Sequence, residues 1–255
     1  MAARKAEYGH SVASTYDRRW SAGPLQKIAD ALVNLAMQSK AQRVLEVGCG
    51  TGRWVREIAA YGPVVVGADA SLEMLRQGAS AQRVCAAANA LPFAQAAFDV
   101  IYCVNAIHHF DNPAEFISRS PEMLRGAGVL SIIGIDPRTI KTRYFYDYFE
   151  GSRELDMRRY PSFGQLTQWM IVAGFRPVEY RVPETYVSHL KGDDVFSDVF
   201  LRKDSNSLLN LLTDAEYQSG IDRIHDALLA AAAAGNEITF DTELPFGMVT
   251  GTLPT

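Results

Sequence analysis

One short segment constrains this chain more than any other, RVLEVGCGTG at positions 43–52. Its opening residues are mostly apolar and include two valines, which predicts a short buried strand. Gly48, Gly50 and Gly52 follow at alternate positions, and the helix-like stretch RWVREIAAY comes next. Glycine allows a sharp turn and a close approach between backbone and ligand. Because a helix that begins after such a turn presents backbone N–H groups and a positive end, the segment predicts a site for a nucleotide-like ligand.

The spacing of these glycines narrows the kind of nucleotide. A dinucleotide fingerprint needs a further glycine at the position that Arg53 occupies here. A Walker-type phosphate loop needs Gly-Lys-Ser or Gly-Lys-Thr, which does not follow the turn. Asp69 ends the next apolar run, where an acidic residue about 20 positions on can hold ribose hydroxyls. The predicted ligand therefore carries a ribose but no pyrophosphate.

Four motifs in order extend this interpretation to a family. The stretches VLEVGCGTG, VVVGADASLEML, NALPF and AFDVIYCVNAIHHFDNP resemble the successive motifs of class I S-adenosylmethionine-dependent methyltransferases, most clearly between Tyr16 and Phe175. The resemblance implies an α/β, Rossmann-like, doubly wound sheet of seven strands in the order 3-2-1-4-5-7-6, with the last strand antiparallel and helical insertions forming a lid. It also implies S-adenosyl-L-methionine as cofactor and S-adenosyl-L-homocysteine as product.

The hydrophobic pattern independently predicts a parallel sheet covered on both faces, because continuous apolar strands alternate with helical segments. After the first strand, the predicted strands are Val64–Ala68, Arg83–Ala87, Phe98–Val104, Val129–Ile135 and Phe175–Val187, followed by a last strand in ITFDTELPFGMVTGTL. Ser71 is positioned as a helix N-cap, Asp111 and Asn112 before Pro113 indicate a helix start, and Thr213 with Glu216 forms a capping-box pattern.

We predict a single domain over residues 1–255, since 255 residues suit one large α/β unit. Its predicted additions are an N-terminal helical cap over about residues 1–40 and helical insertions at about 138–160 and 192–234.

Composition bounds the partners and the location. The formal net charge of -4 is unlike the basic surface that nucleic-acid binders usually concentrate, so no nucleic-acid partner is expected. The sequence shows neither a secretory signal nor an apolar run of membrane-spanning length, which predicts a cytoplasmic protein without membrane attachment. Cys49, Cys85 and Cys103 lie in or beside predicted strands without a C-x-x-C pair, so we expect core cysteines and no metal site. The oligomeric state, monomer or homodimer, stays open.

The family resemblance implies roles for the glycine turn and the strand ends. Gly48 and Gly50 would pass under the methionine portion of the cofactor, and Asp69 would accept hydrogen bonds from both ribose hydroxyls. Ala70 and Met74 would pack on the adenine, although Met74 also fits a helix core. For Asp69 the alternative is a turn or cap residue.

Further cofactor contacts follow from the later motifs. Asn89 stands where the family usually has an aspartate that accepts from the adenine amino group, and an amide oxygen can still accept. Ala90 would contribute backbone contacts, and Asn105 would lie beside the reacting sulfonium. Tyr16 resembles the tyrosine that closes over the cofactor in the family. A turn role for Asn89 and simple packing for Tyr16 are the alternatives.

His108 and His109 follow Asn105 directly and are the catalytic candidates. A histidine can act as general base near neutral pH if the acceptor carries a proton. The alternative is that one histidine buttresses the next helix and the other lines the pocket. His10 and Asp136 are less favoured candidates for the same role.

The acceptor is predicted only by class. Arginines alternate with tyrosines and phenylalanines over residues 138–160, a composition that can hold an aromatic or acidic small molecule. The same composition fits a solvated helix with its aromatic residues packed inward. The leading hypothesis is methyl transfer to a small organic acceptor by in-line displacement. An RNA or protein methyltransferase, a nicotinamide oxidoreductase and a non-catalytic S-adenosylmethionine-binding protein are the alternatives.

Overall fold

The computed structural model describes Asp17, residues 25–78 and residues 82–255. The strands are β1 (Arg43–Val47), β2 (Val64–Asp69), β3 (Arg83–Cys85), β4 (Phe98–Val104), β5 (Leu124–Gly134), β6 (Thr142–Arg143), β7 (Val178–Lys191) and β8 (Thr239–Thr252). The helices are α1 (Gln26–Gln38), α2 (Arg53–Ala59), α3 (Leu72–Gln77), α4 (Pro113–Met123), α5 (Tyr144–Tyr148), α6 (Ser152–Arg159), α7 (Phe163–Val172), α8 (Ser207–Asn210) and α9 (Asp214–Ala233). Short 3₁₀ turns lie at Ile107–His109, Gly192–Ser197 and Val199–Leu201.

All eight strands form one sheet in the order β3-β2-β1-β4-β5-β8-β6, with β7 paired on β8. The pairs among β1 to β5 are parallel, whereas β8 is antiparallel to both β5 and β7. The predicted order is therefore confirmed, with the last strand inserted between the fifth and the sixth predicted strands. The addition is the two-residue β6, which pairs with β8 at Thr142–Glu243 and Arg143–Thr242.

Buried strands with helices on both faces give the sheet two apolar layers. Ile28 and Leu32 of α1 and Trp54 of α2 pack in one layer. Phe116 of α4 and Met170 of α7 pack in the other. This arrangement is the one predicted by continuous apolar strands that alternate with helices.

Several strand boundaries differ from the sequence-based ones, three of them by more than one residue at a point that the pairing explains. β3 ends at Cys85, and β5 begins at Leu124, where the sequence pattern predicts a turn. A register shift between Phe98 and Val100 of β4 accommodates the extra residues of β5. β7 continues to Lys191 because β8 pairs with it as far as Thr239.

The predicted helix caps are confirmed. The Ser71 hydroxyl accepts from the Met74 backbone N–H, and the Asn112 side chain accepts from the Glu115 N–H. Thr213 and Glu216 form a full capping box at α9.

A third apolar cluster joins the two insertions to the outer end of the β7–β8 ribbon. Tyr144, Phe145 and Phe149 of the 138–160 segment are buried there, together with Ile224 of α9 and Phe240 of β8. These three aromatic residues pack inward, as the alternative interpretation of the segment has it. The segments 138–160 and 192–234 therefore form one body at the end of the ribbon.

The remaining expectations concern the cysteines, membrane attachment and the N-terminal cap. Cys49 and Cys103 are buried as predicted, but Cys85 is exposed, because β3 pairs with a strand on one side only. Within residues 25–78 and 82–255, no helix is both long and apolar enough to cross a membrane. The N-terminal cap is described only at Asp17 and from Leu25 onward, so its predicted extent stays a prediction.

Candidate active site

The turn after β1 requires glycine at three positions. Gly48, Gly50 and Gly52 have φ values of 76°, 55° and 76°, which residues with a Cβ rarely adopt. A Cβ added at Gly48 would lie 2.4 Å from the Ala106 Cβ. The turn is thus pressed against the loop that follows β4, with the Gly48 N–H donating to the Ala68 carbonyl at 2.7 Å.

Asp69 ends β2 directly beside this turn. Its Oδ2 accepts from the Gly50 N–H at 2.7 Å and its Oδ1 accepts from the Ser71 N–H at 2.8 Å. Burial raises the pKa of Asp69, and the two backbone hydrogen bonds act in the opposite direction. A carboxylate has about four lone-pair sites, so each oxygen can still accept from a ligand hydroxyl. The position agrees with the predicted ribose-binding role, which stays a prediction.

Glu46 lies beneath the turn and was not singled out by the sequence patterns. It is 1% exposed, and the Tyr102 hydroxyl donates to its Oε2 at 3.0 Å. Burial raises the pKa of Glu46 well above its usual range. The signal in the sequence was a lone acidic residue within an apolar strand just before the glycines.

The other predicted cofactor residues also follow strand ends at this edge. Ala70 and Ala90 are exposed, and Asn89 is partly buried with its backbone carbonyl accepting from Arg119. Met74 is 3% exposed on α3, so its side chain is covered by protein. Their contacts with adenine stay predictions. Tyr16 and His10 lie outside the described residues.

Asn105 follows β4 in a left-handed conformation with φ 49°. Its backbone N–H donates to the Ile133 carbonyl at 2.7 Å, which fixes the residue between β4 and β5. Its side-chain Oδ1 is buried without a hydrogen-bond partner among the described residues.

His108 and His109 form the 3₁₀ turn after Asn105. The His108 ring stacks on Tyr160 with centroids 3.9 Å apart and contacts the His109 ring at the same centroid distance. His108 is 8% exposed, and its Nδ1 is buried without a partner in the part of the chain that the structure describes. Burial, followed by the nearby His109, Arg159 and Arg143, lowers the pKa of His108 well below its usual range. His108 is therefore neutral near pH 7.

Asp136 is a less favoured candidate for the base, and both of its carboxylate oxygens already accept hydrogen bonds. Its Oδ1 accepts from the backbone N–H and the guanidinium of Arg138, and its Oδ2 accepts from the Phe163 N–H. Both oxygens thus position α7 and the loop after β5.

A pocket opens beside Asn105, with an empty volume of about 970 Å³ that includes solvent at its mouth. It lies between the strand ends, the β7–β8 ribbon and the two insertions. Its apolar wall comprises Leu25, Val104, Ile135, Phe145, Tyr160, Tyr186, Phe200, Leu208, Leu244 and Phe246. Its polar lining comprises Asn105, Arg143, Ser188, Asp198, Ser205, Asn206, Ser207 and Thr242. Most of these residues carry no local motif, so the sequence patterns did not find them.

Arg143 is the pocket's buried cation. Its Nη1 donates to Asp156 Oδ2 at 2.8 Å and to the Tyr146 hydroxyl at 3.1 Å. Asp156 is buried and also accepts from Arg159 at 3.2 Å. Burial alone lowers the pKa of Arg143, but Asp156, Tyr146 and Tyr160 together more than compensate, so the net direction is upward and Arg143 stays charged.

Comparison with known proteins gives a family match over the glycine turn and strand ends. Residues 45–132 match the family described as Methyltransferase domain. A relative from Parvibaculum lavamentivorans, named ubiquinone biosynthesis O-methyltransferase, is 33% identical over 111 residues, which cover 40% of this chain and 44% of that protein. The chain thus spans about half the length of the curated relatives that it matches, or somewhat more.

Solved structures share the fold over most of the chain. A putative methyltransferase from an antibiotic biosynthesis pathway of Anabaena variabilis has a TM-score of 0.69 at 18% identity, covering 89% of this chain and 96% of that one. Phosphoethanolamine N-methyltransferase 2 of Haemonchus contortus, solved with S-adenosyl-L-methionine, has a TM-score of 0.59 at 18% identity, covering 100% and 60% respectively.

These findings agree with the motifs, the sheet order and the glycine turn. The motif-based prediction is confirmed: residues 45–132 match a methyltransferase domain, and the chain has the fold of solved methyltransferases.

Proposed function

We propose that this protein transfers a methyl group from S-adenosyl-L-methionine to a small organic acceptor of aromatic or acidic character, with S-adenosyl-L-homocysteine as product. The observation that carries the proposal is that the glycine turn with Asp69 and the pocket beside Asn105 both lie at the carboxyl ends of the parallel strands. A donor site and an acceptor site thereby share one edge of the sheet. This edge, at the carboxyl ends of the strands, is where open α/β sheets bind ligands.

The residues present fit the cofactor. Gly48 and Gly50 leave the turn free of side-chain atoms, and Asp69 keeps acceptor capacity for ribose hydroxyls. In this proposal Ala70, Met74, Asn89 and Ala90 surround the adenine, Asn105 lies beside the sulfonium, and Tyr16 covers the cofactor. The orphaned Asn105 Oδ1 is suited to a partially positive neighbour.

The chain's own contribution to the reaction is mainly positioning. The sulfonium methyl of the bound cofactor is already electrophilic, so alignment and exclusion of water supply much of the rate. His109 and His108 are the proposed groups that take a proton from an acceptor hydroxyl or amine. The neutral His108 offers a buried ring nitrogen and reaches the pocket wall through its stack on Tyr160. Burial opposes charging of His108, which favours the less buried His109 as the base.

The pocket favours a small molecule over a polymer. Its lining is mostly apolar and aromatic with a few polar groups, which is typical of small-ligand sites. The insertions enclose it, and the net charge of -4 does not favour RNA. The oligomeric state does not enter this proposal.

The experiment combines ligand binding with turnover. S-adenosyl-L-methionine and S-adenosyl-L-homocysteine are titrated calorimetrically into wild type and Asp69→Asn, with NAD as a control ligand. We expect both cofactor forms to bind wild type and to bind the variant about tenfold or more weakly, because charge-assisted hydrogen bonds to the ribose are lost. Asp99→Asn is a matched control, since Asp99 also accepts two backbone N–H groups but at the opposite edge of the sheet.

Formation of S-adenosyl-L-homocysteine is then followed by chromatography with candidate acceptors. Binding of NAD without S-adenosyl-L-methionine would favour an oxidoreductase and contradict the proposal. Cofactor binding without methylation of any tested small molecule would favour the non-catalytic alternative.

A further inference from the structure

Two buried polar groups of the pocket have no hydrogen-bond partner among the described residues. They are Arg143 Nε and Thr242 Oγ1, and their residues are 8% and 6% exposed. A buried donor without a partner costs free energy, so such groups call for an explanation. Both residues line the pocket, where a bound molecule can supply the missing partner.

The fold holds these two groups side by side. Arg143 in β6 is the direct antiparallel partner of Thr242 in β8. Side chains of directly opposed residues leave the sheet on the same face, with Cβ atoms about 4.5–5.5 Å apart. The Arg143 guanidinium is anchored, because its Nη1 donates to Asp156 and to the Tyr146 hydroxyl. An N–H donor and a hydroxyl are thus fixed next to each other at the pocket wall.

The local charge favours an anion at this point. Arg143 and Arg159 share the single buried carboxylate of Asp156, which leaves one positive charge in the cluster. Asp198 is the acidic residue of the pocket lining, but its oxygens already accept from the Tyr144 hydroxyl and the Phe200 N–H. Burial raises the pKa of Asp198, while the two hydrogen bonds and the charge of Arg143 act in the opposite direction.

We propose that Arg143 Nε and Thr242 Oγ1 form a subsite for the carboxylate of an aromatic acceptor. This inference rests on the proposed function and specifies its substrate class. Both groups donate to a carboxylate, and the bond from Arg143 is charge-assisted. The ring of the acceptor lies among Phe145, Tyr160, Tyr186 and Phe246, which line the same pocket. An aromatic acid therefore satisfies the orphaned groups and the apolar wall together.

The test uses the full chain saturated with S-adenosyl-L-homocysteine. Benzoate, salicylate and 3,4-dihydroxybenzoate, each beside its methyl ester, are titrated calorimetrically. We expect at least one acid to bind wild type about tenfold or more tightly than its ester, because only the acid offers a charged oxygen pair. We expect Arg143→Gln to abolish this preference.

Thr242→Val tests the site without disturbing the fold. The hydroxyl has no partner among the described residues, so its removal is expected to leave the melting temperature unchanged or slightly raised. The acid affinity is expected to fall about fivefold, while the ester affinity stays constant. Thr242→Ser keeps the hydroxyl and is expected to restore acid binding. Lys141→Gln removes an exposed positive charge from the same segment and is the charge control.

Each outcome has one interpretation. Failure of wild type to bind S-adenosyl-L-homocysteine overturns the proposed function and this inference with it. Normal cofactor binding with no acid preference, or with no acid binding at all, overturns the carboxylate subsite alone. A folded Thr242→Val variant with wild-type acid affinity also overturns it.

Discussion

The candidate site has a methyl-donor side, formed by the glycine turn and Asp69, and a methyl-acceptor side, formed by the pocket. The two sides differ in where their polar groups find hydrogen-bond partners. On the donor side, both oxygens of Asp69 accept from backbone N–H groups and Glu46 accepts from Tyr102. On the acceptor side, Arg143 Nε and Thr242 Oγ1 have no partner within the described residues. The glycine turn and Asp69 are therefore held by hydrogen bonds within the chain, whereas the pocket, from Asn105 to Thr242, keeps hydrogen-bonding capacity for a bound molecule.

The two sides also differ in how far along the chain their contacts reach. The turn at Gly48 and Gly50 is joined to Asp69 across one β-strand and one helix. The pair Arg143 and Thr242 is joined only when β8, at the end of the chain, pairs with β6. Mutations on the two sides should therefore have different signatures.

The largest expected effect is a loss of stability caused by a mutation on the acceptor side. Asp156→Asn leaves Arg143 and Arg159 together in a buried cluster without their carboxylate. We expect a loss of about 3–5 kcal/mol in the free energy of unfolding, measured by urea denaturation. The control is Asp204→Asn, which removes the partner of the more exposed Arg202 and should cost less than about 1 kcal/mol. Similar losses of unfolding free energy in both variants would show that the buried cluster stabilises the fold no more than the exposed ion pair does.

The next largest expected effect is a loss of stability caused by a mutation on the donor side. Gly48→Ala places a Cβ against Ala106 in a backbone conformation with φ 76°. We expect a loss of about 2–4 kcal/mol in the free energy of unfolding, from the clash and the left-handed conformation together. Gly151→Ala is the matched control, because Gly151 has φ 70° with no atom within 4 Å of its added Cβ. The control should lose about 1 kcal/mol and keep S-adenosyl-L-homocysteine binding. Equal losses would contradict close packing at the turn.

The smallest expected effect is a pH dependence of stability that arises from Glu46 on the donor side. Burial raises the pKa of Glu46 well above the usual value of 4.5, so the native state holds this proton more tightly than the unfolded state. Stability contributed by such an acid is present at low pH and decreases as pH rises above about 4.5. Glu46→Gln should therefore gain stability relative to wild type between pH 5 and pH 8, measured by thermal denaturation. A pH-independent difference between the two proteins would contradict the prediction.

Much of the donor side could be predicted from the sequence because its signals are local. The glycines, the acidic residue that ends β2 and the cap at Ser71 each act within a few residues of their partners or at a strand end. Glu46 was missed because a single acidic residue in a strand does not indicate burial without knowledge of Tyr102 beside it on β4.

For the acceptor side, the sequence predicted only a segment rich in arginines and aromatic residues. The 138–160 segment shows its arginines and aromatic residues plainly, but not which arginine turns inward. Arg143 is buried because β6 pairs with β8, whereas the nearby Arg138 lies against Asp136. The stack of His108 on Tyr160 likewise depends on how the insertion returns to the sheet. Tertiary pairing decides these contacts, and a short sequence window does not contain it.

The most direct test is one calorimetric matrix with two ligands and two variants. S-adenosyl-L-homocysteine and salicylate are titrated into Asp69→Asn and Thr242→Val, with salicylate added to cofactor-saturated protein. We predict that Asp69→Asn weakens the binding of S-adenosyl-L-homocysteine about tenfold or more and that Thr242→Val leaves it unchanged while weakening salicylate. Loss of S-adenosyl-L-homocysteine binding in Thr242→Val, or its full retention in Asp69→Asn, would contradict the division into a donor side and an acceptor side.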